Sequence, residues 1–161
     1  MAGMEIITKN KNIFFSLIII IFLFLCFFLI KNNISKNFEI GQIQSIKIAG
    51  KTLKVDLALT ADEQERGLSG RNFLGEDEGM LFVFNQADKY SFWMKDMRFP
   101  IDIIWISDDL RVVFLKENVS PETYPEAFTP SQNARYVLEV SAGFSKKENL
   151  KPGDRVEFLP S

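Results

Sequence analysis

Two short, almost wholly apolar runs constrain this chain most: residues 80–84 (MLFVF) and 90–94 (YSFWM), separated by the polar stretch 85–88 (NQAD). Apolar residues on both faces of a strand need cover on both sides. The runs therefore predict two buried strands joined by a polar turn, and with them a covered sheet. Lys95, Asp96, Arg98 and Asp102 follow directly, a cluster of charge set against apolar strands, and a site is expected there.

The flanking sequence supplies the rest of the sheet. Residues 51–59 alternate, with Leu53, Val55, Leu57 and Leu59 on one side and Lys54, Asp56 and Ala58 on the other. That is a half-buried strand, and Ala49-Gly50 turns it back onto residues 42–48 as a hairpin. Thr60 and Glu63 form a capping box for a short helix over 61–66 that stops at Gly67. Residues 68–78 read as loop, with the acidic Glu76-Asp77-Glu78 as a solvated patch in preference to a metal site. Residues 101–106 and 111–116 predict a second hairpin, 135–140 and 155–159 two further strands, and Lys151-Pro-Gly-Asp154 a type II turn. Ser145 and Glu148 suggest a second capping box and helix. The long segment 117–133, with Pro121, Pro125 and Pro130, reads either as a lid or as a wrap over a sheet edge. Together these elements predict a mainly β, β-rich α+β domain over 41–161, compact and barrel- or sandwich-like, with two short helices.

Ahead of that domain, residues 13–30 form an 18-residue run with no charge. As a helix it would span roughly 27 Å, close to the hydrocarbon thickness of a bilayer. It predicts one transmembrane helix, preceded by a cytoplasmic tail (1–12) and followed by a polar tether (31–40). A cleaved signal peptide is the competing reading, but no small-residue cleavage pattern follows, and bulky Leu25 before Cys26 argues against a lipoprotein site. Lys9 and Lys11 precede the run and Lys31 and Lys36 follow it, so charge alone barely orients it. A short amino-terminal tail favours a single-pass protein of the cytoplasmic membrane with its globular domain outside.

Composition removes several chemistries. The 161 residues contain no histidine, which excludes Ser-His and Cys-His nucleophile pairs and imidazole-ligated zinc. Cys26 is the only cysteine, so no disulfide forms within the chain. From Gly41 onward 15 basic residues face 19 acidic ones, without a basic stripe, so nucleic acid is not an expected partner. Catalysis, if present, would rest on carboxylates, Lys, Tyr, Ser or an oxygen-ligated metal. No cofactor is expected.

The motifs Glu65-Arg-Gly-Leu68, Arg71, Glu78-Gly-Met-Leu-Phe-Val-Phe84, Ser91-Phe-Trp-Met-Lys95, Pro100-Ile-Asp102 and Tyr136-Val-Leu-Glu139, with Gly143 beyond, occur in the order seen in the DUF192 family. The chain resembles that family of small, often exported or membrane-tethered bacterial and archaeal domains over residues 46–159. The resemblance implies a single β-rich domain and no particular reaction. Ser69 stands where the family usually has methionine, and Asp96-Met97 where it has Asn-Thr.

Asp102 and Glu139 each lie in an apolar strand, where a carboxylate costs several kcal/mol unless it is paired. In one reading they form buried ion pairs with Arg71 or Lys95 that hold strand register. In the other, Arg71, Lys95, Asp102 and Glu139 line a pocket for a small polar ligand, walled by Phe92 and Trp93. The expected function is a non-catalytic binding or accessory module for such a ligand or an envelope component. The alternatives are a carboxylate-based hydrolase acting on cell-envelope material and an assembly factor for another envelope protein.

Overall fold

A computed structural model of the chain describes residues 19–25 and 40–160. Residues 19–25 are helical, and no helix among the described residues is long and apolar enough to cross a membrane. The expected anchor is thus not found as a membrane-length helix. The rest of its span, 13–18 and 26–30, lies outside the described residues, as do the expected tail and residues 31–39 of the tether.

From Ile40 the chain builds a seven-stranded sheet. After a turn of 3-10 helix come β1 (Ile43–Ile48) and β2 (Lys51–Ala58), an antiparallel hairpin closed through Ala49 and Gly50, both at positive φ. Helix α1 (Ala61–Arg66) follows, with the expected capping box: Thr60 Oγ1 accepts from the Glu63 amide and Glu63 Oε2 accepts from the Thr60 amide. This crossover carries the chain to β3 (Glu78–Asp88), which pairs parallel to β2, the one parallel pair in the sheet. β5 (Ile101–Ile106) and β6 (Val112–Val119) make the second hairpin, β8 (Ala134–Ser141) inserts between β5 and β3, and β9 (Val156–Pro160) pairs with β1. The strand order is β6-β5-β8-β3-β2-β1-β9.

Three expectations are corrected. Residues 85–88 are not a turn: they continue β3, so one long strand replaces the expected strand and turn. Residues 90–94 then leave the main sheet, and only β4 (Phe92–Trp93) is strand, paired with β7 (Ala127–Phe128) in a separate ribbon. The apolarity of that run reflects packing onto the sheet, where Met94 is buried in the core, while Trp93 is half exposed. The sheet is also not closed into a barrel, although it curls strongly. Tyr136 of β8 and Phe158 of β9 lie four strands apart in the order, yet their rings meet at 5.0 Å. A flat sheet would hold them roughly 19 Å apart. The edges β6 and β9 touch at one bridge, Arg111 to Arg155, beside hydrogen bonds from the Val112 amide to the Asp154 carbonyl and from the Val156 amide to the Leu110 carbonyl.

Register assigns the central side chains to faces. Met80, Glu139 and Ile103 stand abreast on one face, followed by Phe82, Val137 and Trp105. Leu68, Met94 and Phe128 close over that face to complete a core. The opposite face carries Leu81, Leu138 and Ile104, fully buried, and then Gly79, Val140 and Asp102. The segment 117–133 proves to be the end of β6, a turn of 3-10 helix at Pro121–Thr123, and β7, whose Phe128 belongs to the core.

Candidate functional site

The site is built where two loops interlock above β3 and β8. Helix α1 ends at Gly67, whose φ of 50° is open to glycine. A Cβ there would stand 3.2 Å from Phe82 Cζ, so glycine also lets the loop settle onto the sheet. The loop is then fastened to the segment leaving β4: the Ser69 hydroxyl donates to the Lys95 carbonyl at 2.8 Å, and the Gly70 amide donates to the Asp96 carbonyl at 3.0 Å. Arg98 donates to the Asn72 side chain at 2.6 Å. On the far side, the Trp105 indole donates to the Tyr90 carbonyl at 2.8 Å and holds residues 90–93 over the sheet.

Between these loops lies a cavity of about 200 Å³. Phe82 and Glu139 form its floor, and Phe84, Tyr90, Phe92 and Trp93 wall it. The aromatic rings brace one another. Phe92 meets Phe82 edge-on at 4.8 Å and Trp105 at 5.9 Å, while Phe84 stacks on Tyr90 at 3.5 Å. Gln64, Glu65, Arg66 and Ser69 make the opposing side.

Glu139 is the anomaly of the floor. It is 5% exposed, and its Oε2 has no hydrogen-bond partner in the protein. Burial pushes its carboxyl up to about 8, against the opposing pull of Arg71. At neutral pH the group is therefore mostly a neutral acid, able to donate one hydrogen bond and accept others.

The other residues expected at the site divide. Phe92 and Trp93 wall the cavity. Arg71 lies in the adjoining groove, close enough to act on Glu139 through its field but hydrogen-bonded to Asp56 at 2.8 Å. Lys95 is exposed, and its backbone carbonyl serves the loop latch. Asp102 is turned to the other face. Its Oδ1 accepts from the amides of Asn118 (2.8 Å) and Gly143 (3.0 Å), and Oδ2 from Ser145 (2.7 Å). Those bonds tie β5 to the bulged end of β6 and to helix α2 (Phe144–Lys147). The expected capping box there is absent, because Gly143 caps the helix and Ser145 sits inside it. Neither Asp102 nor Glu139 forms the ion pair with Arg71 or Lys95 that one reading anticipated. Among the described residues no cluster of three or more metal-ligating side chains occurs.

The DUF192 family model, described as an uncharacterized ACR, matches residues 44–158. The chain belongs to the DUF192 family. Among solved structures, a Novosphingobium aromaticivorans protein of unknown function is similar at 33% identity and a TM-score of 0.68, covering 72% of this chain and 85% of that one. A Sinorhizobium meliloti protein described as a candidate transcription regulator is similar at 33% identity and a TM-score of 0.65, covering 72% and 91%. Among curated proteins none matches. In this DUF192 domain part of the motifs that carry the resemblance lines the cavity: residues 65–68 and 91–93 form its two sides, and Phe82, Phe84 and Glu139 its floor and back.

Sequence reasoning did not single out Gln64, Gly67, Phe84 or Tyr90 at this site. The sequence pattern places Phe84 and Tyr90 in buried strands and Gly67 at a helix stop. The available signal was the strand period that puts Phe84 in phase with Phe82.

Proposed function

We propose that this DUF192 domain is a non-catalytic binding module whose cavity takes a small polar ligand or envelope component. Glu139 carries the reading: a buried carboxyl without a partner, at the floor of an aromatic cavity, has a cost that a bound ligand would offset. The hydrolase alternative has weaker support, since Asp102 points away from Glu139 and its oxygens are occupied by backbone amides. A fragment screen on the full chain, read by the indole resonance of Trp93, tests the reading. Saturable shifts that disappear in Phe92→Ala are expected, and a library with no saturable hit would overturn it.

The apolar run 13–30 supports a further part of the proposal, that the domain is tethered to the cytoplasmic membrane and faces outward. A carboxy-terminal alkaline phosphatase fusion should be active and remain with membranes after carbonate washing. An inactive fusion, or one released by the wash, would count against it.

A further inference from the structure

The polar inventory of the cavity narrows the ligand's chemistry, given the binding reading above. Three of its side-chain donors are already committed to backbone carbonyls. Gln64 Nε2 donates to the carbonyls of Val83 (2.8 Å) and Ala58 (3.3 Å), the Ser69 hydroxyl to Lys95, and the Tyr90 hydroxyl to Gln86 at 2.9 Å. Ser91 is engaged with the Thr129 hydroxyl at 2.7 Å. The floor adds only Glu139, whose Oε2 is buried and unpartnered. An anionic ligand would find these donors spent and, as the one cation of the cavity lining, only the exposed Arg66 next to the equally exposed Glu65. A ligand rich in N–H groups would find an acceptor.

The walls point the same way. Aromatic faces carry negative potential and attract cations, more strongly where water is excluded. Phe84, Tyr90, Phe92 and Trp93 wall one side of the approach to Glu139. The geometry points to a small primary ammonium ligand with a short apolar body, its N–H groups on Glu139 and its body against the aromatic walls.

Recognition of this kind is linked to protons. Burial holds Glu139 as the neutral acid up to about pH 8, so an ammonium ion must displace its proton to form the ion pair. The charged groups around it are few. Arg71, beside the loop after α1, favours the carboxylate, though its guanidinium is partly neutralised by Asp56. Glu65 and Arg66 of α1 lie on the cavity wall with opposite signs, and Tyr90 faces it from the β4 side. The strand neighbours Met80 and Ile103 do not titrate. Affinity for the cation therefore falls by about tenfold per pH unit below the Glu139 titration, and in that range each binding event releases a proton.

The test titrates the full chain with n-butylammonium chloride, 1-butanol and sodium butyrate, following the Trp93 indole resonance. At pH 8.5 n-butylammonium should saturate the shift, with 1-butanol at least about tenfold weaker and butyrate without effect. Binding should weaken at pH 6, and calorimetry in two buffers of different ionisation enthalpy should show proton release. Glu139→Gln should remove the preference for n-butylammonium over 1-butanol. The wild-type pH series stands on its own if that variant folds poorly. Equal binding of n-butylammonium and 1-butanol, or pH-independent binding without proton release, would overturn the ammonium inference while leaving the binding module intact. If n-butylammonium fails but a neutral fragment saturates the same resonance, the inference alone falls. If no compound saturates it, the binding module falls too.

Discussion

Asp102 and Glu139 are both carboxyl groups in the interior of one sheet, and a single step of register separates their roles. Asp102 meets three convergent amides, so Asp102→Asn would set an NH2 group or a lone amide oxygen against donors that need acceptors. A loss of about 3 kcal/mol in urea unfolding is expected, and a change under 1 kcal/mol would show that the amides find other partners. Glu139 meets no such group. Its carboxyl titrates near 4.5 when unfolded and is raised to about 8 by burial, so the folded state holds the proton more tightly. The stabilisation is complete below the unfolded value and is lost as pH rises through the folded one. The shift predicts a decline on the order of 3 kcal/mol between pH 4.5 and neutrality. Unfolding midpoints measured across pH 4 to 9 (about the range where the group changes charge) should fall with rising pH in wild type. In Glu139→Gln that slope should be absent, and a slope unchanged by the substitution would assign it to another group. Both residues stand out in the sequence as charges within apolar strands. Their opposite faces do not, because Asp102 and Glu139 belong to different strands and only the pairing of Ile103 with Glu139 orients one against the other.

At the scale of elements, local patterns were legible where local chemistry decides. The β1–β2 hairpin, the capped helix α1, the β5–β6 hairpin and the turn at 151–154 all stand where alternation, capping residues and glycine place them. What local pattern could not show was decided by contacts distant in sequence. The polar residues 85–88 read as a turn, yet they continue β3, where Asp88 pairs with Ala134 of β8. The apolar run 90–94 looks like a sheet strand because it must cover the sheet and not because it joins one. Gly79 shows the same dependence on a distant partner. A Cβ there would lie 2.9 Å from the Glu139 carbonyl and 3.1 Å from Leu138 Cδ1. Gly79→Ala should therefore force β3 and β8 apart beneath the cavity, at a cost of about 2 kcal/mol. Thermal unfolding of that variant, unchanged from wild type, would mean that β8 can give way at this point.

Across the whole molecule, the seven strands curl until the first and last in the order meet. The amides of Val112, Gly153 and Val156 are bonded to carbonyls across that junction, at 2.9, 2.7 and 2.8 Å. Hydrogen exchange should find these three amides protected like those of the sheet interior, and rapid exchange would show that the junction opens in solution. A mainly β fold was readable from the alternating segments, whereas the extent of closure depends on the summed twist of seven strands and has no local signature. An open sheet ends in two rows of unpaired backbone groups onto which another chain can add a strand. Here the junction consumes part of both rows. The length of β6 beyond it exposes Lys116, Glu117 and Asn118, and β9 ends in Pro160. Charged side chains and proline are poor templates for an incoming strand, so crowding many copies together leaves little exposed backbone from which a fibril could grow.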